Sequence, residues 1–120
     1  MDTILIVDDQ QTDRELVGKV VAGAGHQPVY AADGAEALQK AKELKPSLIF
    51  LDVVMPRQDG FKTCRSLKQD PETSRIPVVL VTSKATESDK FWGKKQGADD
   101  HVGKPFTADT LVGIIRRYAR

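Results

Sequence analysis

The sequence contains few aromatic residues, 1 cysteine and no long hydrophobic run. Because Cys64 has no possible partner in the chain, an internal disulfide framework and a cysteine-based metal cage are both excluded. We predict that Cys64 occupies a buried apolar position on a helix. The apolar run 4–7 is too short for a signal peptide and is flanked by Asp2, Asp8 and Asp9. No stretch approaches the roughly 20 apolar residues of a membrane span, so we expect a cytoplasmic protein.

An excess of charge of either sign is also missing. The chain has 18 basic and 17 acidic residues, for a net charge of +1, which argues against a dedicated nucleic-acid binder. Arg116, Arg117 and Arg120 are expected to favour the C-terminal end of a helix dipole and to face solvent. With 120 residues, of which 40% are hydrophobic and 29% charged, the composition suits one compact domain. We predict a single domain over residues 1–120 without an output domain.

Two kinds of segment alternate along the chain. Short, apolar, β-branched segments predict strands at Thr3–Val7, Pro28–Ala31, Ser47–Leu51, Pro77–Val81 and, more weakly, Asp100–Gly103. Helical spacing of apolar residues predicts helices at Gln11–Ala24, Ala35–Leu44, Gly60–Lys68, Glu87–Gln96 and Ala108–Tyr118. Three of the strands are continuous apolar runs, which is typical of strands covered on both faces. The alternation predicts an α/β fold, a doubly wound five-stranded parallel sheet with five helices on its two faces.

Polar residues follow the carboxyl ends of four of the predicted strands. In chain order they are Asp8 and Asp9, then Asp52, then Thr82 and Ser83, and finally Lys104 and Pro105. Because sites in open α/β sheets form at this edge, we expect these residues to converge. Carboxylates that lie close together repel unless a cation neutralises them, and Mg²⁺ prefers such oxygen ligands. A carboxylate held there could act as a nucleophile and become an aspartyl phosphate.

Each feature has a simpler explanation when it is taken alone. An Asp-Asp pair after a strand often only caps a helix or supplies charge to its first turn. A Lys-Pro pair after a strand is usually a turn. The combination at four strand ends is what favours a functional site.

The residues resemble those of the response-regulator receiver domains, the CheY-like fold, over the whole length of the chain. The matching segments are Ile6–Asp9, Asp33-Gly34, Leu51–Pro56 with Asp59-Gly60, Val81–Ser83, Gly97-Ala98 and Lys104–Phe106. The resemblance implies a flavodoxin-like strand order of 2-1-3-4-5. It also implies a protein that catalyses only its own phosphorylation and dephosphorylation, and that is otherwise not an enzyme.

The resemblance further implies a metal site and an acceptor. Asp52 is expected to accept a phosphoryl group from a histidine kinase. Mg²⁺ is expected to be bound directly by Asp9, through water by Asp8, and also by Asp52 and the backbone carbonyl of Val54.

The remaining site residues are expected to handle the phosphoryl group. Thr82 is expected to hydrogen-bond it and to reorient as the switch, while Lys104 pairs with its oxygens. The peptide bond between Lys104 and Pro105 is expected to be cis, a form that only proline makes inexpensive. Val54 and Lys84 flank the reaction and are expected to tune the lifetime of the phosphoryl group.

A narrower resemblance concerns segments 70–77 and 88–98, which are similar to the stand-alone regulators of type IV pilus twitching motility, the PilH type. It implies a two-component phosphorelay in a chemotaxis-like or motility pathway. An effector protein is expected to dock on the face formed by the fourth helix, the fifth strand and the fifth helix, on a monomer or a dimer. The predicted contact residues are Lys90, Trp92, Lys94, His101 and Arg116.

His101 departs from the family pattern, because most receivers have Tyr or Phe at that position. The imidazole is a candidate switch residue that can titrate near neutral pH. The alternative is a half-exposed strand histidine with no switching role.

Several other functions stay open at this point. The chain could be a phosphate sink without an effector, or a binding module that never carries phosphate. A phosphatase or transferase would need a general acid near the nucleophile, and neither His26 nor His101 adjoins Asp52 in the predicted layout. A flavodoxin-like cofactor binder would need a phosphate-cradling loop after the first strand, where this chain has carboxylates.

Overall fold

The computed structural model describes residues 2–55 and 58–119. Pro56 of the acceptor motif and Arg120 lie outside the described residues. The strands are β1 (Thr3–Val7), β2 (Gln27–Ala31), β3 (Leu48–Leu51), β4 (Val54–Met55), β5 (Gln58–Asp59), β6 (Val78–Thr82) and β7 (Asp100–Gly103). The helices are α1 (Gln11–Gly23), α2 (Gly34–Leu44), α3 (Gly60–Gln69), α4 (Glu87–Lys95) and α5 (Ala108–Tyr118). In the part of the chain so described, none of these helices has the length and apolar character needed to cross a membrane.

The main sheet is parallel and has the order β2-β1-β3-β6-β7. Counting only the strands of this sheet, the order is the predicted 2-1-3-4-5. The predicted bounds of its strands and of the helices differ from the observed ones by at most 1 residue. The continuous apolar runs made these elements predictable, because strands buried on both faces need them.

A small hairpin of β4 and β5 was not predicted. Its two strands pair antiparallel, Val54 with Asp59 and Met55 with Gln58. Strands of 2 residues are too short for any periodicity to appear in the sequence. The hairpin carries the chain from the end of β3 to the start of α3.

Each face of the sheet carries its own hydrophobic cluster. On one face, Ile4 and Phe50 of the central strands pack with residues of α1 and α5 such as Val21 and Ile115. On the other face, residues such as Leu5 and Ile49 pack with residues of α2 and α3. Alternate residues of each central strand therefore enter different clusters, as the period of a strand requires.

Three of the helices begin at residues whose side chains cap them. Asp33 caps α2, since its side chain accepts a hydrogen bond from the backbone N–H of Glu36, and Thr107 caps α5 in the same way. Thr86 caps α4 and forms a reciprocal capping box with Asp89. These caps satisfy backbone N–H groups that have no partner inside the helix.

Cys64 is fully buried on α3, as predicted. Its thiol lies 3.7 Å from the carbonyl oxygen of Gln96, at the end of α4. Burial raises the pKa of the Cys64 thiol to about 12. The residue is therefore a structural contact between α3 and α4 and stays a neutral thiol at ordinary pH.

Helix α4 approaches the sheet through Gly93, which is its one buried residue. A Cβ atom added at Gly93 would lie 2.7 Å from Cδ1 of Leu80 and 3.4 Å from Nδ1 of His101. The glycine thus allows α4 to lie close to β6 and β7.

We predict that Gly93→Ala destabilises the chain by about 1–3 kcal/mol, because the added methyl group overpacks against Leu80. Gly113→Ala is the matched control, since Gly113 also lies in a helix but has nothing within 4 Å of the added atom. That variant should be as stable as the wild type or more stable by up to about 1 kcal/mol. Urea unfolding measures both, and equal stabilities for the two variants would contradict the close approach of α4.

Candidate functional site

The strand registers bring the predicted polar residues to one edge of the sheet. Val7 pairs with Leu51, so Asp8 and Asp52 leave β1 and β3 side by side, and the backbone N–H of Asp52 donates to the carbonyl of Val7 over 2.9 Å. On the other side of β3, Thr82 ends β6 and pairs with Gly103. The residue after Gly103 is Lys104, so the lysine starts from the same edge.

The ammonium group of Lys104 holds three carboxylates. Its Nζ lies 2.8 Å from Oδ2 of Asp8, 2.9 Å from Oδ2 of Asp13 and 3.0 Å from Oδ2 of Asp52. An ammonium group has three N–H donors, so each carboxylate receives one. The Asp8 and Asp52 side chains are only 6% and 8% exposed, whereas that of Asp13 is 32% exposed. The structure thus brings Asp8, Asp52 and Lys104 together and adds Asp13.

Backbone groups fix the second oxygen of the two buried carboxylates. Oδ1 of Asp8 accepts from the N–H of Gln10 over 3.0 Å, and Oδ1 of Asp52 accepts from the N–H of Val54 over 2.9 Å. Arg14 adds a hydrogen bond of 2.6 Å to the carbonyl of Asp8. Because each carboxylate is held at both oxygens, its orientation is set before any ligand arrives.

The pKa shifts of Asp8 and Lys104 indicate a site in which negative charge exceeds positive charge. Burial raises the pKa of Asp8 above its ordinary value, although hydrogen bonds from Lys104 and Gln10 oppose it. For Lys104, burial alone would lower the pKa, but the hydrogen bonds to Asp13, Asp8 and Asp52 outweigh it and the pKa is raised. The lysine is therefore cationic at neutral pH and neutralises only part of the surrounding charge.

That remaining charge fits a small divalent cation. In residues 2–55 and 58–119, no three His, Cys, Asp or Glu side chains are arranged to hold a metal ion by themselves. Such an arrangement would suit zinc, whereas Mg²⁺ takes one or two carboxylates, other oxygens and several waters. The Asp8–Asp52 pair matches that smaller requirement. Asp9 is half-buried and follows Asp8 in the chain, and Val54 is held at the site by the hydrogen bond from its N–H to Asp52.

Asp13 is a site residue that the sequence reasoning missed. It lies in the first turn of α1, four residues after Asp9. Helix α1 begins just after the Asp-Asp pair, so an acidic residue in its first turn was the available signal. Asp13 was passed over because it does not itself follow a strand.

Gly60 lies where a larger residue would collide with the backbone of Asp52 and Val53. A Cβ atom at Gly60 would lie 2.3 Å from Cα of Val53 and 2.8 Å from the carbonyl oxygen of Asp52. The first residue of α3 therefore packs directly on the backbone that carries the Asp52 carboxylate. Asp59 caps the same helix through a hydrogen bond of 3.0 Å from the N–H of Phe61.

The segment after β6 connects Thr82 with His101. Thr82 is fully buried, and its Oγ1 accepts from the N–H of Lys84 over 3.2 Å. The carbonyl of Lys84 accepts a hydrogen bond of 2.8 Å from Nε2 of His101. Nδ1 of the same ring is buried with no hydrogen-bond partner among the described residues. A half-buried histidine thus contacts the segment that begins at the site threonine.

The predicted partner face divides into two surfaces. Lys90, Lys94 and His101 line one depression between α4 and β7. Trp92 does not join them, because it lines a different groove together with Val54 and Lys84. Residues 90 and 94 share one side of α4, while 88 and 92 share another. Arg116 is exposed on α5.

The peptide bond between Lys104 and Pro105 is cis, as expected.

Comparison with known proteins identifies the class to which this fold and site belong. A family model described as the response regulator receiver domain matches residues 4–116. The chain therefore belongs to the response regulator receiver domain family.

Its relatives include stand-alone proteins and larger regulators. Protein PilH of Pseudomonas aeruginosa is 43% identical over 115 residues, which cover 96% of this chain and 95% of PilH. Protein PilG of the same organism is 33% identical, with 96% of this chain and 85% of PilG covered. The DNA-binding regulator RpaA of Synechocystis is 37% identical, and this chain spans 50% of its length.

Solved structures share the whole fold. The chemotaxis protein CheY4 of Vibrio cholerae superposes with a TM-score of 0.91 at 32% identity, with 98% of each chain covered. The receiver domain of a sensor histidine kinase from Pseudomonas aeruginosa superposes with a TM-score of 0.89 at 25% identity, covering 98% of this chain and 96% of that one. That second structure has a magnesium ion coordinated in its active site cleft.

We predict that Asp8→Asn stabilises the chain by about 1 kcal/mol at pH 7 in magnesium-free buffer, because it removes a buried charge that Lys104 only partly offsets. The pKa of Asp8 lies above its ordinary value of 3.8, so the folded chain binds this proton more readily than the unfolded chain. Protonation of Asp8 therefore stabilises the folded chain. This stabilisation is fully present below the ordinary pKa of Asp8 and is lost as the pH rises through the raised pKa of the folded chain.

Urea unfolding of the wild type and of Asp8→Asn, from below the ordinary pKa of Asp8 up to pH 7, measures the difference in stability. The difference between the two should shrink toward acid pH, where Asp8 is protonated in the wild type. A variant that is less stable than the wild type at pH 7 would mean that the ion pair with Lys104 outweighs the cost of burial.

Proposed function

We propose that the chain is a response regulator of a two-component phosphorelay that accepts a phosphoryl group on Asp52 from the phosphohistidine of a histidine kinase. The observation that carries this proposal is the ion pair of 3.0 Å between Asp52 and Lys104. It places a nucleophilic carboxylate, which also accepts a hydrogen bond from the backbone N–H of Val54, next to a cation that can receive phosphoryl oxygens.

The proposed transfer is a displacement at phosphorus. An oxygen of Asp52 forms a bond to phosphorus as the phosphorus–nitrogen bond to the donor imidazole breaks, and the electron pair of that bond returns to the imidazole nitrogen. Lys104 donates an N–H to a phosphoryl oxygen as charge develops there. In the separate hydrolysis step, the oxygen of a water molecule attacks phosphorus as the bond between phosphorus and the Asp52 oxygen breaks. The electron pair of that bond returns to the carboxylate, and inorganic phosphate leaves with the protons of the water.

Mg²⁺ is the proposed cofactor. Asp8, Asp9, Asp52 and the carbonyl of Val54 would hold it, and when bound it would neutralise charge on the phosphoryl oxygens. The unbalanced negative charge around Lys104 supports this assignment. The magnesium ion in the cleft of the related kinase receiver supports it as well.

The proposed switch runs from Thr82 to His101. A phosphoryl group on Asp52 offers oxygens that the Thr82 hydroxyl can donate to, and turning the hydroxyl toward them would strain or break the hydrogen bond that it accepts from the N–H of Lys84. A shift of this segment would alter the hydrogen bond between Lys84 and His101. The imidazole can therefore report the state of the site at the surface between α4 and β7.

The proposed output is contact with an effector protein in the cytoplasm. Lys90, Lys94 and His101 form one part of the docking surface on α4 and β7, and Arg116 extends it onto α5. Trp92 would contribute only to a partner that also reaches the groove near Val54. The likeness to PilH and PilG supports a pathway of the chemotaxis or pilus-motility type.

We expect incubation with Mg²⁺ and acetyl phosphate to add the mass of one phosphoryl group to the chain, because Asp52 is the fixed nucleophile. Asp52→Asn should show no gain, and Asp109→Asn, which changes an exposed carboxylate in the first turn of α5, should behave as the wild type. Intact-mass spectrometry with and without EDTA measures the gain. Phosphorylation that survives in Asp52→Asn, or that needs no Mg²⁺, would refute the assignment.

We expect Val54→Asn to shorten the phosphoryl lifetime. Val54 is 45% exposed beside Lys84 and has no group that can orient a water molecule. One added hydrogen bond of about 1 kcal/mol corresponds to roughly a fivefold faster hydrolysis. Leu44→Asn is the control, because Leu44 is similarly exposed but lies at the end of α2.

The decay of phosphorylated protein after removal of the donor measures this lifetime. An unchanged decay rate in Val54→Asn would remove Val54 from the set of residues that control hydrolysis.

A further inference from the structure

We infer that Asp13 is a positioning residue that competes with the phosphoryl group for Lys104 and thereby limits how readily Asp52 is phosphorylated. The inference rests on the proposed function, because it concerns the regulation of the same site. It starts from the ion pair of 2.9 Å between Asp13 and Lys104.

All three N–H donors of Lys104 are in use. Asp8, Asp13 and Asp52 each lie within 3.0 Å of Nζ. A phosphoryl oxygen can therefore receive a hydrogen bond from Lys104 only when one of these contacts is given up or weakened.

The three carboxylates are not equivalent in this exchange. Asp52 is the proposed acceptor, and Asp8 belongs to the proposed magnesium site. Asp13 is required for neither role, and it is the most exposed of the three, with 32% of its side chain accessible against 6% and 8% for the others. Water can replace Lys104 at Asp13 more readily than at a buried carboxylate, so Asp13 is the contact that is released at the lowest cost.

The negative charge of Asp13 also limits how readily Asp52 is phosphorylated. An incoming phosphoryl donor is an anion, so each carboxylate around Lys104 repels it and offsets part of the attraction that the ammonium group exerts on it. Asp13 cancels part of that attraction at contact distance from Nζ. Asp13→Asn removes this charge while keeping the shape of the side chain and an acceptor oxygen.

A purely structural explanation exists for Asp13. A carboxylate in the first turn of a helix interacts favourably with the helix dipole, and it would stabilise α1 without affecting the reaction. Glu15 provides the matched control, because it lies on the same helix, is exposed, and forms a hydrogen bond of 3.0 Å with Gln11. Glu15→Gln removes one negative charge near the same helix end.

The test measures the initial rate of phosphorylation of the full chain by acetyl phosphate at saturating Mg²⁺. Asp13→Asn should raise the rate at low donor concentration by about two- to fivefold, the range expected for a partly exposed ion pair. The gain should appear mainly as a lower half-saturating donor concentration, because the variant attracts the anionic donor better. Asp13→Glu, which restores the charge, and Glu15→Gln should stay close to the wild type.

Salt separates the electrostatic role from a structural one. The gain in Asp13→Asn should shrink as sodium chloride is raised toward about 1 M, where exposed charges are strongly screened. Thermal unfolding of each variant, followed by circular dichroism, shows that the chains compared are folded.

The outcomes are distinct. An unchanged or slower rate in folded Asp13→Asn, or an equal gain in Glu15→Gln, would overturn the inference alone. A wild-type chain that gains no phosphoryl group under these conditions would overturn the proposed function and the inference with it.

Discussion

The structure of the site depends on one ammonium group that is shared by three carboxylates. Lys104, at the end of β7, reaches Asp8 after β1, Asp13 on α1 and Asp52 after β3. Buried carboxylates in such proximity would repel one another and would be costly to desolvate without a cation among them. Lys104 makes the cluster possible but leaves it with excess negative charge, and that excess explains why a divalent cation is a proposed ligand.

The path from this cluster to the surface is short. Thr82 and His101 both hydrogen-bond the backbone of Lys84, Thr82 at its N–H and His101 at its carbonyl. Helix α4 begins directly after this segment and has one buried residue, Gly93. Because only this residue of α4 is buried, few packing contacts must break for the helix to move. The proposed output surface is therefore built on the helix that the core holds least firmly.

The sequence predicted more of the fold than of the site. Strands such as Leu48–Leu51 were recognisable because burial on both faces requires a continuous apolar run. The hairpin of β4 and β5 was missed because two-residue strands leave no pattern. Trp92 was expected on the same face as Lys90 and Lys94, but the rotation of α4 places it in the groove near Val54. That rotation follows from the close packing of Gly93 on Leu80, which no local pattern in the helix reveals.

By itself, the sequence determined the order of the elements and the residues that stand at the carboxyl ends of the strands. These are local properties, since they follow from hydrophobic period and chain direction. Only the tertiary structure decided which carboxylates share Lys104, because Asp13 and Lys104 are 91 residues apart in the chain. Their contact depends on strand register and on the packing of α1, and both are set by long-range burial of apolar surface rather than by neighbouring residues.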